Sequence, residues 1–168
     1  GIVNTAIKAE LASASAVQEA QTVMASLNQK AKRAADRCCI SACTDITGFG
    51  LLGHCAEMAS ASGVTFELKV NDIAYFQDAV EYAKMGLVPA GTYKNRGYSI
   101  GSVDAQGIEE FYLDLLYDPQ TSGGLLLSVA REDLGTLLSE LKAAGIDTAV
   151  SVIGSVAPES DKLIRLLK

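Results

Sequence analysis

The sequence contains no tryptophan, a single histidine and only three prolines among its 168 residues. No apolar run approaches the roughly 18 residues that a membrane-spanning helix requires, and there is no basic tract of five or more residues. The chain begins at Gly1 in a polar, alanine-rich stretch that does not resemble a signal peptide. We therefore expect neither a membrane nor a nucleic acid as a partner.

The overall composition is that of a globular protein, with 49% hydrophobic and 20% charged residues. A chain of this length can bury about 70% of its unfolded surface, which is enough for one hydrophobic core. We expect a single domain over residues 1–168, and the missing initial methionine suggests a piece of a longer chain. The net charge is −6, so binding of phosphate would need Mg²⁺, local cations or backbone N–H groups.

The four cysteines, Cys38, Cys39, Cys43 and Cys55, fall within a short segment. This clustering is unlike a disulfide framework and predicts free thiols in a cytoplasmic, reducing compartment. A zinc site that also uses His54 is the alternative, but the spacing fits no standard zinc motif. The cysteines are better explained as small apolar side chains of a buried strand and helix. For His54, a structural role is at least as good an explanation as general-base catalysis.

Hydrophobic periodicity predicts a succession of helices and strands. One helix is expected over 4–36, capped by Asn4 or Thr5, with a stripe that includes Ile7, Leu11 and Leu27. The following elements are a buried strand 38–43, a helix from an N-cap at Thr47 to Gly63, a strand 64–70, a helix from Asn71 or Asp72 to Lys84, a loop 87–107, a strand 125–130, a helix ending at Gly145 and a strand 147–153.

The helix–glycine–strand pattern at 47–70 recurs at 131–153, each time after a short apolar strand. This repetition predicts a strand–helix–strand unit that is used twice. Helices between strands, together with one-face alternation at 64–70, favour an α+β layered domain with a mixed or antiparallel sheet covered by helices.

Three stretches carry candidate chemistry. In TDITGFG, 44–50, the carboxylate of Asp45 precedes a glycine-rich helix start, where Mg²⁺ and a phosphate could bind near Thr47 and Gly48. In DPQTSGG, 118–124, hydroxyl and N–H groups come from Thr121, Ser122 and Gly123. The loop PAGTYKNRG, 89–97, adds Asn95 and two cations. Each stretch also has a purely structural interpretation. The first would be a turn braced by Asp45, the second a β-turn opened by Asp118 and Pro119, and the third a solvated surface loop.

Taken together, TDITGFGLLGH, GTYKN and DPQTSGGLLL resemble the C-terminal half of the selenophosphate synthetase (selenide, water dikinase) family. The resemblance runs from about Asn4 to the end of the chain. Either long motif alone would indicate only the wider aminoimidazole ribonucleotide synthetase-like superfamily, whose members use ATP.

The resemblance implies a transferase that makes selenophosphate from selenide and ATP, with Mg²⁺, and releases AMP and orthophosphate. It also implies a partly ferredoxin-like C-terminal domain, an N-terminal domain of the same chain as its partner, and a homodimer of the parent. Asp45 matches the family's metal-binding aspartate. Thr47, Gly48, Asn95, Thr121, Ser122 and Gly123 would line the phosphate or nucleotide side.

The family's reactive cysteine or selenocysteine and its lysine match nothing in this chain, so none of the four cysteines inherits that role. We expect no catalytic nucleophile in this fragment and no turnover by the fragment alone. Two alternatives stay open: a domain of another ATP-using kinase or synthetase of the superfamily, and a non-catalytic interaction module.

Overall fold

A computed structural model describes all residues 1–168 and contains eight α-helices and six β-strands. The helices are α1 Ile2–Lys8, α2 Ala14–Ala25, α3 Gln29–Ala35, α4 Gly50–Ser62, α5 Gln77–Lys84, α6 Ala90–Ser99, α7 Glu110–Leu116 and α8 Leu134–Ala143. The strands are β1 Ile40–Asp45, β2 Val64–Lys69, β3 Val103–Asp104, β4 Leu125–Val129, β5 Gly154–Pro158 and β6 Ile164–Leu167.

The strands form two sheets. β1 pairs antiparallel with β4, and a four-stranded sheet has the order β3-β6-β2-β5. In the larger sheet β2 is antiparallel to β5 and parallel to β6. The predicted α+β fold with mixed and antiparallel pairing is therefore confirmed.

The predicted repeat is also present, as β1–α4–β2 and β4–α8–β5. The first strands of the two units pair with each other, and so do the last strands. The predicted strand at 147–153 is wrong, because regular pairing starts only at Gly154. A Cβ at Gly154 would lie 2.0 Å from the Glu67 carbonyl oxygen, so the close approach to β2 requires a glycine there.

Helix α4 lies at the centre of the largest hydrophobic cluster. Its side chains Leu52, Cys55 and Ala59 are completely buried and pack with residues of β2, β6 and α7. Gly63 ends the helix in the left-handed conformation, with φ of 62°. Both the buried face and the end of this helix agree with the sequence prediction.

The single helix predicted over 4–36 is wrong: the segment forms three helices, and the first begins at Ile2, before the predicted caps Asn4 and Thr5. Ser13 starts α2 by accepting a hydrogen bond from the Ala16 N–H. The predicted stripe is only partly covered: Val17 and Met24 are half-buried, but the exposed fraction is 40% at Ile7, 52% at Leu11 and 78% at Leu27. Small alanines such as Ala16 and Ala20 are buried instead, and a periodicity search weights them weakly.

Two further boundaries differ from the prediction. Helix α5 starts at Gln77, with Phe76 as its N-cap, and not after Asn71 or Asp72. The predicted loop 87–107 contains helix α6, whose Thr92 and Ser99 side chains are buried. Packing of α6 against α4 outweighs the low helix propensity of its two glycines.

Strand β1 is not the buried strand predicted for 38–43, since it alternates between half-buried and exposed positions. Cys39 and Cys43 are exposed, whereas Cys55 is buried, and all four thiols are free. Among the helices, none combines the length and the apolar character that crossing a membrane would demand.

Candidate functional site

The three motifs found in the sequence meet in space where β1 ends and β4 begins. The Ile46 N–H donates to the Gly124 carbonyl, and the Gly123 N–H donates to the Ile46 carbonyl, each over 2.9 Å. The Gln120 N–H donates to the Thr47 carbonyl over 3.0 Å. The TDITGFG and DPQTSGG loops are therefore held side by side as an extension of the β1–β4 ladder.

Gly123 permits this close pairing. A Cβ at that position would lie 2.4 Å from the Ile46 carbonyl oxygen, whereas a Cβ at Gly124 would meet nothing within 4 Å. The preceding residue, Ser122, adopts a positive φ of 55°, a strained conformation for a residue with a side chain. The loop thus stores local strain in order to bring its backbone against the first motif.

Asn95 connects the third motif to the other two. Its side-chain amide nitrogen donates to the Gly48 carbonyl over 2.9 Å and to the Tyr117 carbonyl over 3.0 Å. The residue lies on helix α6 and not in a loop, and both amide hydrogens are used within the chain. Asn95 therefore fixes the position of the Gly48 backbone.

Several backbone N–H groups of the paired loops have no acceptor within the chain. They belong to Thr47, Gly48, Phe49, Thr121 and Ser122. The Gly123 N–H, by contrast, is used by Ile46. Free N–H groups on successive residues of a turn are the usual donors for phosphate oxygens, so the two loops offer an anion a concentrated set of donors.

Asp45 occupies the last position of β1, opposite Leu125 of β4. Its side chain is exposed, and its carboxylate takes part in no hydrogen bond or ion pair of the chain. It lines an open cavity of about 440 Å³ together with Asn28, Gln29, Lys32, Cys43, Thr44 and Leu125. The carboxylate is thus free to receive a cation from solvent.

No group of three or more His, Cys, Asp or Glu side chains in the chain is arranged to hold a metal ion. Asp45 can therefore supply one carboxylate ligand of a metal site, and the other ligands would be hydroxyl or carbonyl oxygens, a substrate, water or residues outside this chain. Oxygen donors of this type suit Mg²⁺, which commonly takes only one or two carboxylates and completes its shell with phosphate and water.

Thr47 does not cap α4 as the sequence predicted, because the N-cap is Phe49. The Thr47 hydroxyl instead lies 3.1 Å from Nε2 of His54. The other ring nitrogen, Nδ1, lies 3.2 Å from the Glu57 carboxylate. Sequence reasoning found no partner for His54, although the i, i+3 spacing of His54 and Glu57 on one helix could have indicated this pair.

Asp118 is the second residue that sequence reasoning missed, since it was considered only as the opening of a turn. Its buried carboxylate accepts hydrogen bonds from the Ile2 N–H over 2.9 Å, from Gln120 Nε2 over 3.1 Å and from the Thr92 hydroxyl over 3.4 Å. It thereby ties the start of the DPQTSGG loop to α1 and α6. Its role is to hold the loop in place.

Asp114 on α7 is buried, and its Oδ1 has no hydrogen-bond partner. Burial raises the pKa of this carboxyl above its ordinary value, and the negative charge of Glu110 adds to the rise, while Arg96 opposes it. Burial penalises the ionised form of the Asp114 carboxyl. The contribution of this group to the stability of the folded state is therefore greatest below the ordinary Asp pKa, and it is lost as the pH rises through the raised pKa of the folded state.

We therefore expect Asp114→Asn to unfold at a higher temperature than the unmodified protein at about pH 8, with the gain shrinking toward about pH 4. Thermal unfolding followed by circular dichroism across this range measures the difference. Asp161→Asn, at an exposed position, is the matched control and should show no such trend. A difference between Asp114→Asn and the unmodified protein that does not depend on pH would contradict the assignment.

The cysteines near the site are poor nucleophiles. Although Cys43 is largely exposed, partial desolvation raises the pKa of its thiol, and the charges of Asp45 and Asp36 add to the rise, against the opposing charge of Lys32. Burial raises the pKa of Cys55 to about 12. Since the thiolate is the reactive form, the raised pKa values disfavour Cys43 and Cys55 as nucleophiles.

Comparison with known proteins identifies the family. Residues 3–165 match the family described as AIR synthase related protein, C-terminal domain. The chain belongs to this AIR synthase related family. The matched region covers almost the entire chain, and the fold described above is the α+β fold of this C-terminal domain.

Among curated members, the chain is similar to selenide, water dikinases. It is 44% identical over 164 residues to selenide, water dikinase 2 of Peptoclostridium acidaminophilum, covering 98% of this chain and 47% of that protein. It is 42% identical over 168 residues to the selenide, water dikinase of Clostridioides difficile, covering 99% of this chain and 48% of that protein. This AIR synthase related domain thus spans about half the length of the curated relatives it matches, and the resemblance seen in its motifs is confirmed.

Proposed function

We propose that this chain is the C-terminal domain of a two-domain selenophosphate synthetase, which converts selenide and ATP to selenophosphate, AMP and orthophosphate. The observation that carries the proposal is the exposed, unpartnered carboxylate of Asp45 beside two interlocked loops with free N–H groups. A cation ligand next to an anion-binding backbone is what a magnesium–phosphate substrate requires.

The relatives support the choice of substrate. They are named selenide, water dikinases, and the similarity extends over the whole chain. The runner-up, another ATP-using synthetase or kinase of the same family, shares the domain but lacks this support. Selenide and ATP are accordingly the proposed substrates, and Mg²⁺ is the proposed cofactor.

Within this proposal each element of the site has a separate task. Asp45 would hold the magnesium ion, which when bound neutralises charge on the phosphates. The N–H groups of Thr47, Gly48, Thr121 and Ser122 would bind phosphate oxygens. Asn95, Gly123 and Asp118 would keep the two loops at a fixed separation. Phosphoryl transfer depends chiefly on such positioning and charge neutralisation.

The proposal also assigns the remaining parts of the enzyme to residues outside this chain. With one carboxylate and no nucleophile, the chain offers part of a catalytic cleft. The other metal ligands and the selenium-handling residues would come from an N-terminal domain, in a parent that forms a homodimer. The free thiols fit the proposed cytoplasmic location.

The direct test compares the full-length protein with residues 1–168 alone. Both are supplied with ATP, Mg²⁺ and selenide without oxygen, and AMP and selenophosphate are followed by ³¹P NMR. We expect selenide-dependent AMP formation by the full-length protein and none by residues 1–168, because the proposal leaves the selenium-handling residues and the other metal ligands outside this chain. Substantial AMP formation by the short chain would refute the division of roles, and a full-length protein that ignores selenide would favour the runner-up.

A further inference from the structure

His54 is a buried polar side chain with a partner on each ring nitrogen. The residue is only 8% exposed, and the edge of the Phe49 ring covers it, with ring centroids 5.7 Å apart. Nδ1 lies 3.2 Å from the Glu57 carboxylate and Nε2 lies 3.1 Å from the Thr47 hydroxyl. The ring therefore connects an exposed acid on α4 to a hydroxyl in the TDITGFG loop.

The identity of the partners determines where the hydrogens lie. An ionised carboxylate only accepts hydrogen bonds, so Nδ1 of His54 must carry the hydrogen that faces Glu57. In a neutral imidazole the other nitrogen is then an acceptor. When His54 is neutral, the Thr47 hydroxyl donates its only hydrogen inward, to Nε2, and its oxygen has lone pairs left for other partners.

We propose that His54, held by Glu57, is a positioning residue that makes the Thr47 hydroxyl an acceptor toward the site. The Thr47 side chain would then serve the cation beside Asp45 and not the phosphate. This inference rests on the proposed function, and it reassigns one side chain that the motif alone placed on the phosphate side. The Thr47 N–H stays available to the anion.

Phosphate and Mg²⁺ require opposite properties of the Thr47 hydroxyl. Phosphate oxygens need donors, and a hydroxyl whose hydrogen is already committed has none to give. Magnesium takes oxygen ligands and retains several waters. The Thr47 oxygen, two residues after Asp45 in the sequence, suits either the ion or the hydrogen of a magnesium-bound water.

The hydrogen placement can be measured without any activity. His54 is the only histidine of the chain, so its ¹⁵N-labelled ring gives a single set of NMR signals. At about pH 8 we expect the neutral tautomer with hydrogen on Nδ1, and a weakened preference for it in Glu57→Gln. Hydrogen on Nε2 would overturn the inference, because Thr47 would then accept from the ring and be free to donate.

Kinetics of the full-length protein test the consequence. Thr47→Val and His54→Phe should each raise the Mg²⁺ concentration for half-maximal activity by about 3- to 10-fold, the value of one hydrogen bond, with a smaller change in the KM for ATP. Thr47→Ser keeps the hydroxyl and should show a smaller rise than Thr47→Val. The double variant should be no worse than the more affected single variant, because both changes remove the same interaction.

The outcomes are distinguishable. A raised KM for ATP with unchanged Mg²⁺ dependence would return the hydroxyl to the phosphate side and overturn the inference, as would additive losses in the double variant. If His54→Phe does not fold, Thr47→Val alone makes the same comparison. A full-length protein without selenide-dependent turnover would overturn the proposed function, whereas the tautomer measurement would still test the inference.

Discussion

Asp45→Asn in the full-length protein is expected to lower selenide-dependent AMP formation by more than about 100-fold, since even the loss of a residue that only orients a metal ligand costs about 10- to 100-fold. The reason is the loss of the one carboxylate that the described site offers to a cation. Asparagine has nearly the same size but carries no charge. Steady-state AMP formation at saturating ATP measures the loss.

The same substitution should leave the fold intact. The Asp45 side chain is exposed and makes no hydrogen bond within the chain, so the free energy of unfolding should change by no more than about 0.5 kcal/mol. Asp161→Asn is the control, another exposed aspartate remote in sequence from the three motifs, and should keep full activity. Retention of activity by Asp45→Asn would disprove the metal role.

Gly123→Ala is expected to destabilise the domain by about 2–3 kcal/mol, the cost of forcing an extra group into a packed site. The added methyl group would start 2.4 Å from the Ile46 carbonyl oxygen, so the two loops must separate. For a domain of this size the melting temperature should fall by about 5–10 °C. Differential scanning calorimetry of residues 1–168 measures it.

The neighbouring glycine provides a matched control. A Cβ at Gly124 meets nothing within 4 Å, so Gly124→Ala should change the melting temperature little. In the full-length protein, Gly123→Ala should also reduce activity, because the Ile46–Gly123 and Thr47–Gln120 hydrogen bonds that align the loops would weaken. Equal melting temperatures for the two variants would show that loop contact does not depend on Gly123.

The sequence predicted the elements whose local signals agree with their packing. Helix α4 has a clear apolar face and a glycine stop. The sequence of β2 alternates in polarity and does form a strand, but Thr65 on its polar face is completely buried. The prediction failed where tertiary contacts decide the structure. Helices α1 and α2 pack through small buried side chains such as Ala6, Ala16 and Ala20. The packing of Thr92 and Ser99 keeps α6 helical despite its glycines.

The candidate site likewise has features that the sequence predicted and features that it did not. The motifs identified the residues that lie together, because long specific stretches indicate a shared site even when their spacing in sequence is large. The i, i+3 spacing of His54 and Glu57 did contain a signal for their pairing. The sequence could not show that the Asn95 amide is used on backbone carbonyls or that Asp118 is a buried brace. These facts depend on which groups meet after folding, and no local pattern encodes them.

The most direct test of the central claim is a crystal structure of the full-length protein with Mg²⁺ and a non-hydrolysable ATP analogue. The account predicts an Asp45 carboxylate oxygen at about 2.1 Å from a magnesium ion that also contacts the triphosphate. A magnesium–triphosphate complex held entirely by residues outside this chain, with Asp45 still facing solvent, would contradict it.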